Sequence, residues 1–152
     1  MEIITKSGIT VKIDNDRTDL AELRGWCMHS NGYIGRTVGK GFIFLHHLVL
    51  GIKPDPRFRV DHKDRDHLNN TRGNLRVVSA SQNAQNRDRM TKRGLPRGVG
   101  WHKGKQKWHA YARLNYKLYH LGYFTDIDEA DQVVSMWRAE HMTHSEVDRI
   151  GA

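Results

Sequence analysis

The sequence predicts an α+β fold in two parts, and three observations carry that prediction. From Met1 to about Leu50, short alternating apolar and polar runs are separated by glycine-containing turns. Past the middle of the chain, "TKRGLPRG" interrupts the pattern with the Gly and Pro of a linker. Beyond it come three more alternating runs and one segment of helical periodicity. A chain of 152 residues with 38% hydrophobic content holds one ordinary domain or two small ones, without the deep core of a large enzyme.

Taken in order, "EIITKSGITVKID" alternates around Ser7-Gly8 as a hairpin, and "TDLAELRGW" reads as a short helix capped by Thr18. "GYIGRTVGKGFIFLHHLVL" repeats the strand pattern around Gly39 to Gly41, and "GIKPDPRFR" is a Pro-containing loop. "SASQNAQNRDRM" predicts a helix begun by Ser79 or Ser81. A boundary is expected near Gly94. "GVGWHK", "KWHAYARLN" and "KLYHLGYF" are three candidate strands, the second placing Trp108, Ala110, Ala112 and Leu114 on one side. Thr125 and Asp128 then form a capping box, and Ile127, Ala130, Val133, Val134, Trp137 and His141 follow helical spacing.

The formal charge of +8 points to a polyanionic partner, nucleic acid first, because Lys and Arg displace condensed counterions from phosphates. The charge is uneven. From Arg87 to Lys117 the only acid is Asp88, whereas the terminal helix carries Asp126, Asp128, Glu129, Asp131, Glu140, Glu146 and Asp148. The single cysteine, Cys27, excludes an internal disulfide framework and a multi-cysteine zinc cage, and reads as a small buried thiol. No signal-peptide pattern opens the chain and no run of about 18 apolar residues occurs, so a soluble intracellular protein without a membrane partner is expected.

The chemistry concentrates in "VDHKDRDHLNNTRGNLRVVSASQNAQNR", Val60 to Arg87. Phosphodiester hydrolysis needs a base to activate water and a cation to neutralise charge on the phosphorus oxygens and leaving group. A histidine with an unperturbed pKa of about 6.5 supplies the first. A carboxylate and an amide carbonyl suit magnesium or manganese. Adjacent strand residues point to opposite faces, however, so Asp61 and His62 share a phosphate only if something bends the strand or gathers groups around it. On residues alone, a metal site and a polar loop stitched by Asx turns both remain open.

This stretch, with "FLHHLVLG" upstream, resembles the HNH endonuclease family, in the branch found in phage and intron-encoded homing nucleases. The resemblance runs from about Met1 to Arg89, the first part matching only in pattern. It implies two antiparallel strands and a helix around one divalent metal, the ββα-metal arrangement. It also implies His62 as general base, Asp61 as metal ligand, Asn74 as the residue holding the interstrand loop, and Asn83 as the second ligand. Asn83 stands where many members have His, which favours magnesium or manganese over zinc. Asn86 is its rival. His46 occupies the place of a family His, orienting a phosphate or bracing the motif, and His67, Asn69 and Asn70 read as loop formers. The implied reaction is water attack in line with the 3′ oxygen, leaving 5′-phosphate and 3′-hydroxyl ends on double-stranded DNA.

"RGVGWHKGKQKWHAYARLNYKLYHLGYFTDIDEADQVV" resembles the plant ethylene-response-factor DNA-binding domain, also called the APETALA-type domain, from Arg97 to about Met142. "RGV", "KW.A..R" and "LG.F" carry the match, with Arg97, Trp108 and Arg113 the best positions. His120 stands where Trp is usual, and Gly100 and Trp101 replace basic residues. The family reads the major groove with its three-stranded sheet. Phosphate contacts through Lys103, Lys105 and Lys107 fit the basic, aromatic composition independently, with Arg87 and Arg93 in the linker beside them. A solvated basic face and a packing role for Trp108 remain open.

The expected organisation is therefore residues 1–90 as an HNH nuclease unit with a β-rich lead-in, 91–96 as a basic linker, and 97–152 as a three-stranded antiparallel sheet packed on one helix. The resemblances imply a homing-type nuclease, encoded by a phage or mobile element and acting in a bacterial cytoplasm. A monomer would nick and a dimer would cut both strands. A DNA-binding regulator without catalysis is the alternative.

Overall fold

Ser7 and Gly8 turn the first hairpin because Gly8 takes a positive φ of 80°. In the computed structural model, which describes residues 1–87 and 90–149, β1 (Glu2–Ile4) and β2 (Thr10–Lys12) pair antiparallel with Ile3 opposite Val11, and both side chains are buried. The chain divides into two compact units, Met1–Ala80 and Ser81–Ala152, ahead of the boundary expected near Gly94.

In the first unit, α1 (Thr18–Glu22) starts at the residue expected to cap it, so its cap falls one residue earlier. Thr18 is its first helical residue, Arg17 is the N-cap, and no side chain caps it. Next come β3 (Cys27–Met28), β4 (Ile34–Val38) and β5 (Gly41–Phe44), forming one antiparallel sheet in that order. Cys27 is half-buried, short of the burial expected for it. "LHHLVL" corrects the strand expectation: Leu45–Leu50 is a helix, α2, with Leu45, His46 and Val49 on its buried side. Gly51 ends it in the left-handed region at φ 65°, as helix C-termini require. Then β6 (Phe58–His62) pairs antiparallel with β7 (Leu75–Ser79). Ile3, Val11, Ile13, Leu20, Trp26, Ile34, Leu45, Val49, Val60 and Leu75 form one core. The lead-in strands and the β6–β7 ladder thus share their hydrophobic support.

The second unit starts inside a helix that is shorter than expected. α3 covers only Ala80–Asn83, and a turn follows. Ser and Asn compete with helical hydrogen bonds through their own side chains, so "SASQN" does not propagate. The rest of that expected helix includes Asp88 and Arg89, which lie outside the described residues. The expected linker is an ordered turn: Thr91 N–H donates to the Leu95 carbonyl at 2.8 Å, and Met90 bridges Pro96.

β8 (Val99–His102), β9 (Lys107–Leu114) and β10 (Lys117–Phe124) form an antiparallel sheet with β9 central, packed on α4 (Ile127–His141). The Asp126 carboxylate caps α4 by accepting from the backbone of Asp128 and Glu129, in place of the expected Thr125. An additional short helix, α5 (Glu146–Arg149), follows. It is tied back by a buried pair in which Arg138 donates to both carboxylate oxygens of Asp148 at 2.9 and 2.8 Å. Gly98 at φ 90° is obligatory, because a Cβ there would collide with the Tyr111 carbonyl and lie 2.8 Å from Val134. No helix among the described residues is long and apolar enough to cross a membrane.

Candidate active site

Asp61 and His62 end β6, where the register sets Asp61 opposite Arg76 and His62 opposite Leu75. Arg76 donates to the Asp61 carboxylate from Nε at 2.8 Å and lies 2.7 Å away at Nη2. His62 is 3% exposed, and its Nε2 lies 3.3 Å from Asn70 Oδ1. Burial pushes the His62 imidazole below its ordinary pKa, only partly offset by the Asn70 hydrogen bond. At neutral pH it is therefore a neutral ring able to accept a proton.

Between the strands, Asn74 holds the loop from within. Its amide nitrogen donates to Asp64 Oδ1 and to the Asn69 carbonyl, both at 2.8 Å, and its amide oxygen accepts from Asp64 N–H at 3.1 Å. Asp64 also accepts from Asp66 N–H and from the Asn69 side chain. These are the Asx turns that a polar loop would show, and here they deliver the chain from His62 back to β7. Asn69 and Asn70 are loop formers as the sequence indicated, and Asn70 also reaches His62.

An aromatic layer encloses the His62 ring. Tyr33 stacks on His67 at 4.1 Å and on His62 at 5.7 Å, and His46 meets His62 edge-on at 5.7 Å. Burial first, and then the Asp61 charge, raises the Tyr33 pKa, so it remains a neutral phenol. His46 is buried and stacks on Phe44, and burial with neighbouring histidines lowers its pKa to about 3. A neutral, enclosed ring offers no cation to a phosphate. His46 is thus an enclosed part of this layer, packed on Phe44 and edge-on to His62. Beside it, a cleft of about 340 Å³ is lined by Tyr33, Phe44, His46, Phe58 and Arg59 among others. Exposed Lys53 and Arg59 give this side of β6 a positive edge.

The sequence alone does not single out Tyr33 or Arg76. Tyr33 lies far upstream with no local signal, and Arg76 becomes visible only once the β6–β7 register is known. Asn83 ends α3 half-buried in the second unit, and Asn86 is buried.

In the second unit the sheet sorts the expected DNA contacts by face. Trp108 packs with Val99, Ala110, Ala130 and Val134 against the helix, which corrects its assignment to DNA. Its strand alternation already put it with Ala110 and Ala112. Arg97 is also internal: it donates to the carbonyls of Gln85 and Arg87, and its Nη2 lies 3.6 Å from the Asp148 carboxylate. Its guanidinium braces the unit from within, which corrects its assignment to DNA. On the opposite face, His109 stacks on His120 and Tyr123, and Tyr111 and Arg113 are exposed in β9. Lys105 lies over the Tyr123 ring at 3.9 Å. Arg87, Arg93, Lys103 and Lys107 are exposed as well.

The family model of the HNH endonuclease matches residues 45–85. No curated protein and no solved structure matches the chain. The matched segment takes in α2, the β6–β7 ladder, Asp61, His62, Asn74 and Asn83, and stops short of Asn86. Over residues 45–85 the chain is similar to HNH endonucleases, and that match supports an enzyme that hydrolyses DNA. The domain is central, with residues 1–44 ahead of it, and not N-terminal as expected. Nucleases of this family generally use a divalent metal. Among the described residues, no three His, Cys, Asp or Glu gather as a metal cage. The Asp61 carboxylate is a hard oxygen donor of the kind that suits a divalent ion such as magnesium.

Proposed function

We propose that the protein is a homing-type DNA endonuclease in which His62 is the general base and the sheet of the second unit reads double-stranded DNA. The observation that carries the catalytic reading is the buried, neutral His62 beside Asp61 at the end of β6, inside the matched segment. His62 accepts the proton of a water as that water attacks phosphorus in line with the 3′ oxygen, which leaves as the 3′-hydroxyl end and yields a 5′-phosphate. Asp61 is a ligand of a single magnesium or manganese ion, the support being its place in the matched segment. When bound, the ion supplies neutralisation of charge on the phosphorus oxygens and leaving group. Asn74 keeps the loop shaped so that the two motif residues stay in place, and His46 braces the base.

For the reader, the supporting observation is the outer sheet face, where Tyr111, Arg113, His120 and Tyr123 stand with Lys103, Lys105 and Lys107. Arg87 and Arg93 add phosphate contacts. Joining a weakly selective cutter to such a reader raises its local concentration at one site, the logic of a mobile-element or phage enzyme working in a bacterial cell.

The test is supercoiled plasmid incubated with the protein and manganese, magnesium or EDTA, beside Asp61→Ala and His62→Ala. Metal-dependent open circles lost in both variants support the reading, and linear product indicates paired active sites. Intact plasmid in every lane sinks it.

A further inference from the structure

We propose that Arg97 is a positioning residue for DNA cleavage, holding the end of the matched segment in place from within the second unit. The inference rests on the nuclease reading above.

The match and the compact units do not share a boundary. The match runs to residue 85 and the second unit begins at Ser81, so residues 81–85 belong to both. They include most of α3, a single turn rich in Ser and Asn, and a helix that short does not sustain itself in water. Its placement depends on what grips it.

Two grips lie in the second unit. Near the start of α3, Ser81 Oγ donates to Asn115 Oδ1 at 3.0 Å, and Asn115 with Tyr116 makes the tight β9–β10 turn, both at positive φ. Beyond the helix, Gln85 is 7% exposed, and its backbone carbonyl accepts from Arg97 Nη1 and Nη2, each at 3.2 Å. The same Nη1 donates to the Arg87 carbonyl at 3.0 Å, so the guanidinium fork spans both sides of Asn86. Ser145 Oγ also lies 3.2 Å from the Gln85 carbonyl, but it has one proton and its shorter contact is to Asp148. The grip on this buried carbonyl therefore falls to Arg97. Arg97 is in turn fixed from behind, its own carbonyl accepting from Arg138 Nη1 and its Nη2 lying 3.6 Å from the Asp148 carboxylate.

The interstrand loop of the match has a separate anchor in the first unit. Lys12 N–H donates to the Leu68 carbonyl and the Lys12 carbonyl accepts from Asn70 N–H, both at 2.8 Å, so β2 clamps that loop. Both the loop and the helix are thus held by residues outside the match.

The experiment compares wild type, Arg97→Met and Arg97→Lys in the full chain, by amide hydrogen exchange and by steady-state cutting of supercoiled plasmid with manganese. In Arg97→Met, protection of residues 81–85 should fall while that of β9 persists. Its kcat should drop about 10- to 100-fold with KM for DNA unchanged, the scale of a reacting group displaced by about 1 Å. Arg97→Lys keeps the charge but loses the planar fork, and should fall between the two. A methionine variant that opens residues 81–85 yet keeps full kcat overturns the proposal. A rise in KM at constant kcat also overturns it, returning Arg97 to DNA binding. If Arg97→Met unfolds β9 as well, Arg97→Lys decides: wild-type kcat there reduces Arg97 to a stabilising residue and overturns the proposal, whereas a lower kcat with β9 protected supports it. A wild type that leaves plasmid intact removes the nuclease reading itself, and this proposal with it.

Discussion

Asp61 and Arg76 face each other across the β6–β7 ladder, with the guanidinium on the carboxylate at 2.8 Å through Nε and 2.7 Å at Nη2. Their side chains are only 8% and 16% exposed, so the pair is largely withdrawn from water. Removing one member leaves a buried charge uncompensated. Arg76→Met should cost about 3 kcal/mol in metal-free protein. If Asp61 holds a divalent ion, manganese replaces the lost cation and raises the variant's melting temperature more than the wild type's. Equal shifts in the two proteins would remove Asp61 from the ligand set.

His46 sets a pH limit on the first unit. Its folded pKa of about 3 lies below the ordinary 6.5, so below pH 6.5 the unfolded chain binds a proton that the folded one refuses. Stability is therefore lost as pH falls from about 6.5 toward 3, by up to roughly 4 kcal/mol. His46→Phe keeps a ring on Phe44 and should flatten that part of the curve. An unchanged slope in urea titrations across this range would show that His46 is not its source.

The second unit has an acid limit of a different origin. Burial raises the Asp148 pKa, but hydrogen bonds from Arg138 and Ser145 and the charges of Arg138 and Arg97 take it net below the usual carboxylate value. A depressed carboxylate stabilises above its unfolded pKa of about 4, and that stability disappears as pH falls through the folded value. Asp148→Asn should destabilise the unit at pH 7 and abolish this low-pH loss, measured by the chemical shifts of β9 amides during acid titration.

Trp108 and Arg113 sit on opposite faces of β9 and should respond differently. Trp108→Ala opens the helix-facing core and should cost roughly 2–3 kcal/mol of stability. Arg113→Ala should leave the melting temperature unchanged while weakening DNA binding and lowering the slope of log K against log salt by about 1. Binding loss of equal size from both substitutions, at equal stability, would contradict this division of the sheet.

What the residues revealed beforehand follows the range of the interactions involved. The alternation of Trp108, Ala110, Ala112 and Leu114 is local, and it placed β9 and its buried face correctly. The spacing from Ile127 to His141 likewise gave α4. "GFIFLHHLVL" is nearly continuous in apolar residues, so neither period stands out, and the change from β5 to α2 was missed. Arg97 lies among cations in the sequence, but its carboxylate partner, Asp148, arrives only through α4 and α5. The motif letters of the site were legible, whereas Tyr33 and Arg76 depend on tertiary packing and on register.

The clamp of β2 on the motif loop bears on how such a nuclease can be moved between proteins. Arg72 N–H donates to the Asp14 carboxylate and its guanidinium to Asp16, beside the Lys12 contacts to Leu68 and Asn70. A cassette cut at residues 45 and 85 would carry every letter of the motif into a new host chain and leave these anchors behind. The transplantable module is therefore larger than the recognisable one, and a chimera built without residues 10–16 would inherit a base without the scaffold that aims it.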